Sequence, residues 1–441
     1  MLKKTAATLL VLVLVGCGGD EKTATQDSAT TAATATVAPT TPASVIPTTS
    51  TTISAAASAW IEDLEALDAG VRRLHPNPFW RVGEEEWDAR IAAARELLPT
   101  LNQRQSEMLF FELAALLDGH SGIYPLQVGY HFYALRLYHF TDGYFLLDGP
   151  DPTAIGGELV AINGVPIDEA VGLVTPLIAH DNDKTIEVVV PMYLMISEIL
   201  EGTGIVTDTA APAFDIERPD GTHAILNPEP LLWEPYVEQF DGMPVGLPRA
   251  DEPLSQSRRN NKYWWTMVGD DLYFQYNNVL RGEGDDTIDA IVAELRERLE
   301  VGDVRRLIVD IRHNNGGDYR TYRGLKELLL DPLVDRPGGL YIIIGRQTFS
   351  AAALFATELE AQALNVVFVG EPTGGSPNVY ADVRPVELPN WGIKVNVSTG
   401  YYDFASPDDP RPWIEPDIAV ELSSADYFAG FDAILQAAID A

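Results

Sequence analysis

Between Tyr263 and Val369 short apolar runs alternate with amphipathic stretches, and this alternation restricts the fold more than any other feature of the chain. Asp271–Tyr276, Arg306–Ile311, Leu340–Ile344 and Val366–Val369 read as strands, while Thr287–Leu299, Tyr322–Leu330 and Ser350–Glu360 read as helices. Strands separated by helices imply parallel pairing, with the helices packed outside the sheet. After Ala381 the pattern returns to β, and a helix over Tyr427–Ile439 closes the chain. Residues 263–441 are therefore expected to form an α/β domain.

The sequence holds 441 residues, which is long for one compact domain. Upstream, residues 59–120 show helical periodicity: Trp60, Ile61, Leu64, Leu67, Val71 and Leu74 recur at spacings of three and four. His75-Pro76-Asn77-Pro78 stops that helix. Further helices are predicted over 84–98 and 103–117. Residues 121–262 read as β-rich. There Asn163-Gly164 is a tight-turn signal, and Gly157–Ile167 partly matches a PDZ-like segment, with a generic β-hairpin as the equal alternative.

The N-terminus is of another kind. Lys3 and Lys4 precede a short apolar run that ends in Leu14-Val15-Gly16-Cys17, and Cys17 is the chain's one cysteine. The run is too short to span a bilayer but suits a signal peptide. Residues 1–17 resemble a lipoprotein signal with its lipobox, which implies cleavage before Cys17 and lipidation of its thiol. Residues 18–58, rich in Thr and Ala, cannot bury enough apolar surface to offset ordering and read as a disordered tether. The expected location is the cell envelope, outside the cytoplasm, with membrane contact only through that anchor. A formal charge of -35 argues against nucleic acid as a partner and against charge-driven binding to anionic lipid. A lone cysteine excludes an internal disulfide framework and any cysteine-based metal site.

Three places combine strand ends, glycines and reactive side chains. In the first, the strand ending at Asp310-Ile311 runs into Arg312-His313-Asn314-Asn315-Gly316-Gly317, where glycines let backbone N–H groups approach a ligand or simply form a turn. In the second, a strand ends at Gly345 and a helix starts near Ser350. Serine there is either an N-cap or a hydroxyl set among the free N–H groups of a helix start. The third is Asp118-Gly119-His120. A serine nucleophile needs a base, and the chain has seven histidines: His75, His120, His131, His139, His180, His223 and His313. His313 is the rival to His120. No metal-binding spacing and no phosphate loop is evident, so neither metal nor cofactor is expected.

Taken together, these segments resemble the tail-specific, or C-terminal processing, serine protease family, in its tricorn-like Ser/His branch. The resemblance rests on five ordered motifs: Asp118-Gly119-His120-Ser121; Asp310, Arg312, Asn314, Gly316 and Gly317; Ser350-Ala351; Gly370-Glu371-Pro372-Thr373-Gly374-Gly375; and Pro416-Asp417-Ile418. It implies a ClpP/crotonase-like catalytic core, with Ser350 as nucleophile and His120 as base. The oxyanion would be held by the N–H of Ala351 and one from Gly316 or Gly317. The substrate would be a peptide or protein. Two positions depart from the family. Where many members carry a lysine base the chain has Gly374-Gly375-Ser376, and the position before the histidine is Gly119. The acid orienting the histidine would be Asp408, Asp409 or Glu415. The alternatives are a catalytically inactive binding lipoprotein on the same fold, as in the related retinoid-binding modules, and an esterase using the same pair.

Overall fold

The computed structural model describes residues 54–441 except 243, 249, 251, 252 and 285. Cys17, its apolar run and residues 18–53 of the expected tether lie outside the described residues. Helix α1 (Ala55–Leu74) starts inside the stretch assigned to the tether, because Ser54 caps it by accepting from the Ala57 N–H at 3.1 Å. With α2 (Glu84–Leu97) and α3 (Gln103–Ala115) it buries Leu64, Leu67, Val71, Trp87, Phe110 and Phe111. No helix among the described residues is long and apolar enough to cross a membrane.

The main sheet of the middle segment is antiparallel and runs through strands β1 (Arg136–Phe140), β2 (Gly143–Asp148), β3 (Glu158–Ile162), β4 (Phe214–Glu217) and β5 (His223–Leu226), in that spatial order. Asn163 and Gly164 form the expected tight turn, with φ of 50° and 77°, and pair Ile162 with Val165. The β-rich reading fails between the strands. Three helices intervene: α4 (Ile167–Val174), α5 (Asp183–Tyr193) and α6 (Ser197–Gly202). Helix α5 carries the run Ile186-Glu187-Val188-Val189-Val190, whose β-branched residues favour strands by propensity. The cap outweighs that preference, since Asn182 Oδ1 accepts from the N–H groups of Lys184 and Thr185 at 2.9 and 3.3 Å.

The C-terminal domain follows its sequence pattern closely. Its sheet runs β13 (Ile418–Ala419), β10 (Val366–Gly370), β9 (Leu340–Ile344), β8 (Leu307–Asp310), β7 (Asp271–Tyr276) and β6 (Tyr263–Val268). All neighbours pair in parallel except β6 with β7. Helices α7 (Ile288–Glu300), α8 (Arg323–Leu329) and α9 (Ala351–Gln362) cover one face, and α10 (Ala433–Asp440) the other. The single closing helix expected over 427–439 is two, broken at Gly430, where φ is 69°.

A long hairpin, β11 (Asn378–Glu387) and β12 (Lys394–Asp403), leaves this domain and inserts its tip into the N-terminal helices. Trp391 at the tip meets Trp60 and Phe110 at ring centroid distances of 5.5 and 6.0 Å. The buried Asp63 carboxylate accepts from the backbone N–H groups of Asn390 and Trp391, both at 2.8 Å. That clamp matters for the site, because the hairpin also carries the residues that hold the His120 loop.

Candidate active site

Parallel strands aim their C-terminal ends at a common edge, and three loops leave it there: 311–317 after β8, 345–350 after β9 and 371–376 after β10. Thr348 ties the first two together. Its hydroxyl donates to the Ile311 carbonyl at 2.9 Å and accepts from the Gly345 N–H at 3.0 Å. The Phe349 N–H donates to the Asn314 carbonyl at 3.1 Å, and the Gly375 N–H to the Thr348 carbonyl at 3.0 Å.

Ser350 stands where these loops meet. It precedes α9 but does not cap it: its side chain makes no bond to the helix N–H groups, and its backbone sits at φ 53°, ψ -128°. A non-glycine residue at positive φ costs on the order of 1–3 kcal/mol and persists only where its surroundings hold it. The conformation points the hydroxyl away from the helix and toward His120, whose Nε2 lies 2.9 Å from Oγ. The His120 ring stacks on Phe349, with centroids 4.8 Å apart and planes at 23°. Gly316 makes the close approach possible. A Cβ there would lie 2.7 Å from Ser350 Cβ and 2.8 Å from the Ala351 nitrogen.

The His120 loop is built on a buried carboxylate. Asp118 Oδ1 accepts from the His120 and Ser121 N–H groups, both at 2.8 Å, and from the Ser398 hydroxyl at 2.9 Å. Its Oδ2 accepts from the Ser121 hydroxyl at 2.6 Å and pairs with His75 Nε2 at 2.9 Å. Burial by itself would raise the Asp118 carboxyl; the bonds from His75 and Ser121, with both imidazoles nearby, hold it below its ordinary value. Gly122 and Asn396 exchange backbone hydrogen bonds of 2.9 Å, so strand β12 braces the loop. In the sequence His75 reads as part of a helix exit. Nothing in His75-Pro76-Asn77-Pro78 reveals its partner, which lies 43 positions away.

Ser350, His120, Ala351, Gly316 and Gly317 thus gather at one edge of the sheet. Ala351 is the first residue of α9, where N–H groups have no intrahelical acceptor. Gly316 is corrected as a candidate donor, because its N–H already donates to Asn314 Oδ1 at 2.9 Å. Gly317 differs. The bridge to Val279 uses the Gly316 carbonyl and the Asp318 N–H, which leaves the N–H of Gly317 facing the other way.

The expected acids are not at the imidazole. Asp409 is held by Arg411, which also binds Glu360, and Glu415 accepts from Trp413 Nε1 at 2.6 Å. His120 Nδ1 has no hydrogen-bond partner, so none of Asp408, Asp409 and Glu415 is bonded to it; Asp409 and Glu415 belong to local clusters that their own neighbours satisfy. His313, the rival to His120, faces Gln347 Oε1 at 3.2 Å instead. At the position of the family's lysine, a Cβ on Gly375 would lie 2.7 Å from Ala353 Cβ and 3.1 Å from the Ser350 nitrogen.

No family model matches this chain, and no curated protein matches its sequence. Solved structures do. Mature CPAF in complex with lactacystin aligns with a TM-score of 0.60 and 13% identity, covering 88% of this chain and 98% of that one. Mature CPAF alone gives a TM-score of 0.59 and 14% identity, over 88% of this chain and 96% of that one. Across the helical, middle and α/β parts together, the chain is similar in fold to CPAF.

Proposed function

We propose that this chain is a serine peptidase of the tail-specific protease type, with Ser350 as nucleophile and His120 as general base. The observation that carries the reading is the 2.9 Å contact between Ser350 Oγ and His120 Nε2, made by a serine whose strained backbone presents its hydroxyl instead of capping the helix. In the acylation step Oγ attacks the scissile carbonyl carbon while Nε2 takes its proton; the same proton then passes to the leaving amine as the C–N bond breaks. The developing oxyanion is received by the N–H groups of Ala351 and Gly317. Water attacks the acyl-enzyme as His120 takes its proton, and His120 returns that proton to Oγ as the ester C–O bond breaks. The fold shared with CPAF supports the reading, as do the five ordered motifs.

The chain's place in the cell is part of the same proposal: extracytoplasmic, lipid-anchored through Cys17, and acting on peptides or protein C-termini. The test is a fluorophosphonate probe applied to wild type, Ser350→Ala and His120→Ala. Labelling of wild type alone, with the adduct on Ser350, supports the pair; a folded wild type that takes no label overturns it and leaves a binding lipoprotein. Product analysis on peptide and ester substrates separates a peptidase from an esterase. Detergent-phase partitioning of wild type and Cys17→Ser tests the anchor.

A further inference from the structure

A serine–histidine pair of this kind works best when the second ring nitrogen of the base is held, because that bond sets the tautomer and stabilises the imidazolium. In this chain His120 Nδ1 is buried and has no partner. One loop away, Asp181 Oδ2 is also buried and without a partner. The other oxygen of the same carboxylate accepts from the N–H of Gly119, the residue next to the base, at 2.9 Å. Two unmatched polar atoms, an imidazole nitrogen that carries the ring proton when Nε2 accepts from Ser350 and a carboxylate oxygen, therefore sit in adjoining loops linked by a hydrogen bond. Buried polar atoms are rarely left so unless a role or a bound water accounts for them.

We propose that Asp181 is the positioning residue for His120, its Oδ2 accepting a hydrogen bond from Nδ1–H, across one water or after a small side-chain turn, when Nε2 takes the proton of Ser350. The inference rests on reading Ser350 and His120 as the reacting pair. Several features show that the loop is built to present this carboxylate. Asn182 donates to the Thr373 and Pro412 carbonyls at 3.2 and 2.6 Å, Thr185 donates to the Gly374 carbonyl at 2.7 Å, and Arg81 donates to the His180 carbonyl at 2.8 Å. The loop is thus clamped to the turn that follows β10 and to the helical domain. Glycine is required at 119 for the approach: a Cβ there would lie 2.4 Å from Asp181 Oδ1 and 2.8 Å from the Asp181 nitrogen. Burial, with Asp118 nearby, pushes the Asp181 carboxyl up, while His120 and Arg81 oppose this. A carboxylate in that setting gains from a positive imidazolium forming beside it. The arrangement also explains why the acids late in the chain are engaged elsewhere.

The test removes the charge while keeping the acceptor for Gly119. Asp181→Asn does this, and Asp181→Ser is the second variant should the amide disturb the loop. The fluorophosphonate labelling rate of Ser350 is expected to fall on the order of 10²-fold or more, as when the aspartate of a Ser-His-Asp site is replaced. Proton NMR of ¹⁵N-histidine-labelled protein adds a readout that needs no catalysis: the low-field His120 Nδ1–H resonance should be present in wild type and Ser350→Ala, and lost or moved upfield in Asp181→Asn. An unmoved resonance, or an unchanged labelling rate in a labelled wild type, overturns the proposal. An unlabelled wild type whose resonance still responds to Asp181 overturns the peptidase reading and supports the positioning role.

Discussion

Replacing Asp118 with alanine is expected to destabilise the protein by about 3–5 kcal/mol and to release His120 from its contact with Ser350. The carboxylate is 1% exposed and accepts from two backbone N–H groups, two hydroxyls and one imidazole. An orphaned buried donor costs about 1–3 kcal/mol. The sum is not simply additive, because the hydroxyls of Ser121 and Ser398 already lie 3.2 Å apart and can turn to each other. The two N–H groups have no such alternative, and His75 loses its partner inside the core. Breaking a buried charged contact by deleting one side typically costs about 3–5 kcal/mol, which sets the total. Urea unfolding followed by tryptophan fluorescence measures it through the midpoint shift and its slope. Asp118→Asn should cost less, since an amide oxygen can keep the bonds on the Oδ1 side. A loss below about 1 kcal/mol in the alanine variant, with unchanged labelling of Ser350, would refute the view that this carboxylate builds the loop.

Gly316→Ala places a methyl 2.7 Å from Ser350 Cβ at a φ of 98°, so labelling of Ser350 should drop at least about tenfold while helix content is kept; equal labelling would show that the turn yields easily. The carboxyls of Asp118 and Asp432 are buried and both lie below their ordinary value, Asp432 because Arg312 offsets its burial. Each therefore adds stability that is present above the unfolded-state value and is lost as pH falls through the folded-state value, so the urea midpoint should decline below about pH 4, and less steeply in Asp432→Asn. Trp391→Ala removes the ring that the hairpin tip buries against Trp60 and Phe110 and should cost about 2–4 kcal/mol. Because the same hairpin braces the His120 loop through Asn396 and Ser398, Ser350 labelling should fall with it; a loss of stability with labelling intact would uncouple tip from site.

Much of the C-terminal domain was legible because its strands and helices follow the apolar period. Asp271–Tyr276 and Leu340–Ile344 occupy the segments read from the sequence, and the helices before and after them shift by a residue or two. The middle segment was less legible, since the β-branched stretch of α5 favours strand locally and becomes helical through the Asn182 cap and its packing. Ser350 was ambiguous between a cap and a nucleophile, and the two readings differ only in backbone torsion, which no residue pattern reports.

By itself the sequence determined the alternating α/β domain, the turn at Asn163-Gly164 and the residue types that a serine–histidine site needs, because these depend on local period, turn torsions and side-chain chemistry. Which residues meet was decided only by the tertiary structure. His120 reaches Ser350 across 230 positions, His75 reaches Asp118, and Ser398 reaches the same carboxylate from the hairpin. Which carboxylate lies beside the His120 loop is likewise a matter of packing. Asp409 and Glu415 follow the motif order but bind their own neighbours, while Asp181, in no motif, lies against Gly119 because Asn182 and Thr185 anchor its loop to the turn after β10. Contacts of this range come from the docking of whole segments on one another, and the linear pattern of a chain does not encode them one pair at a time.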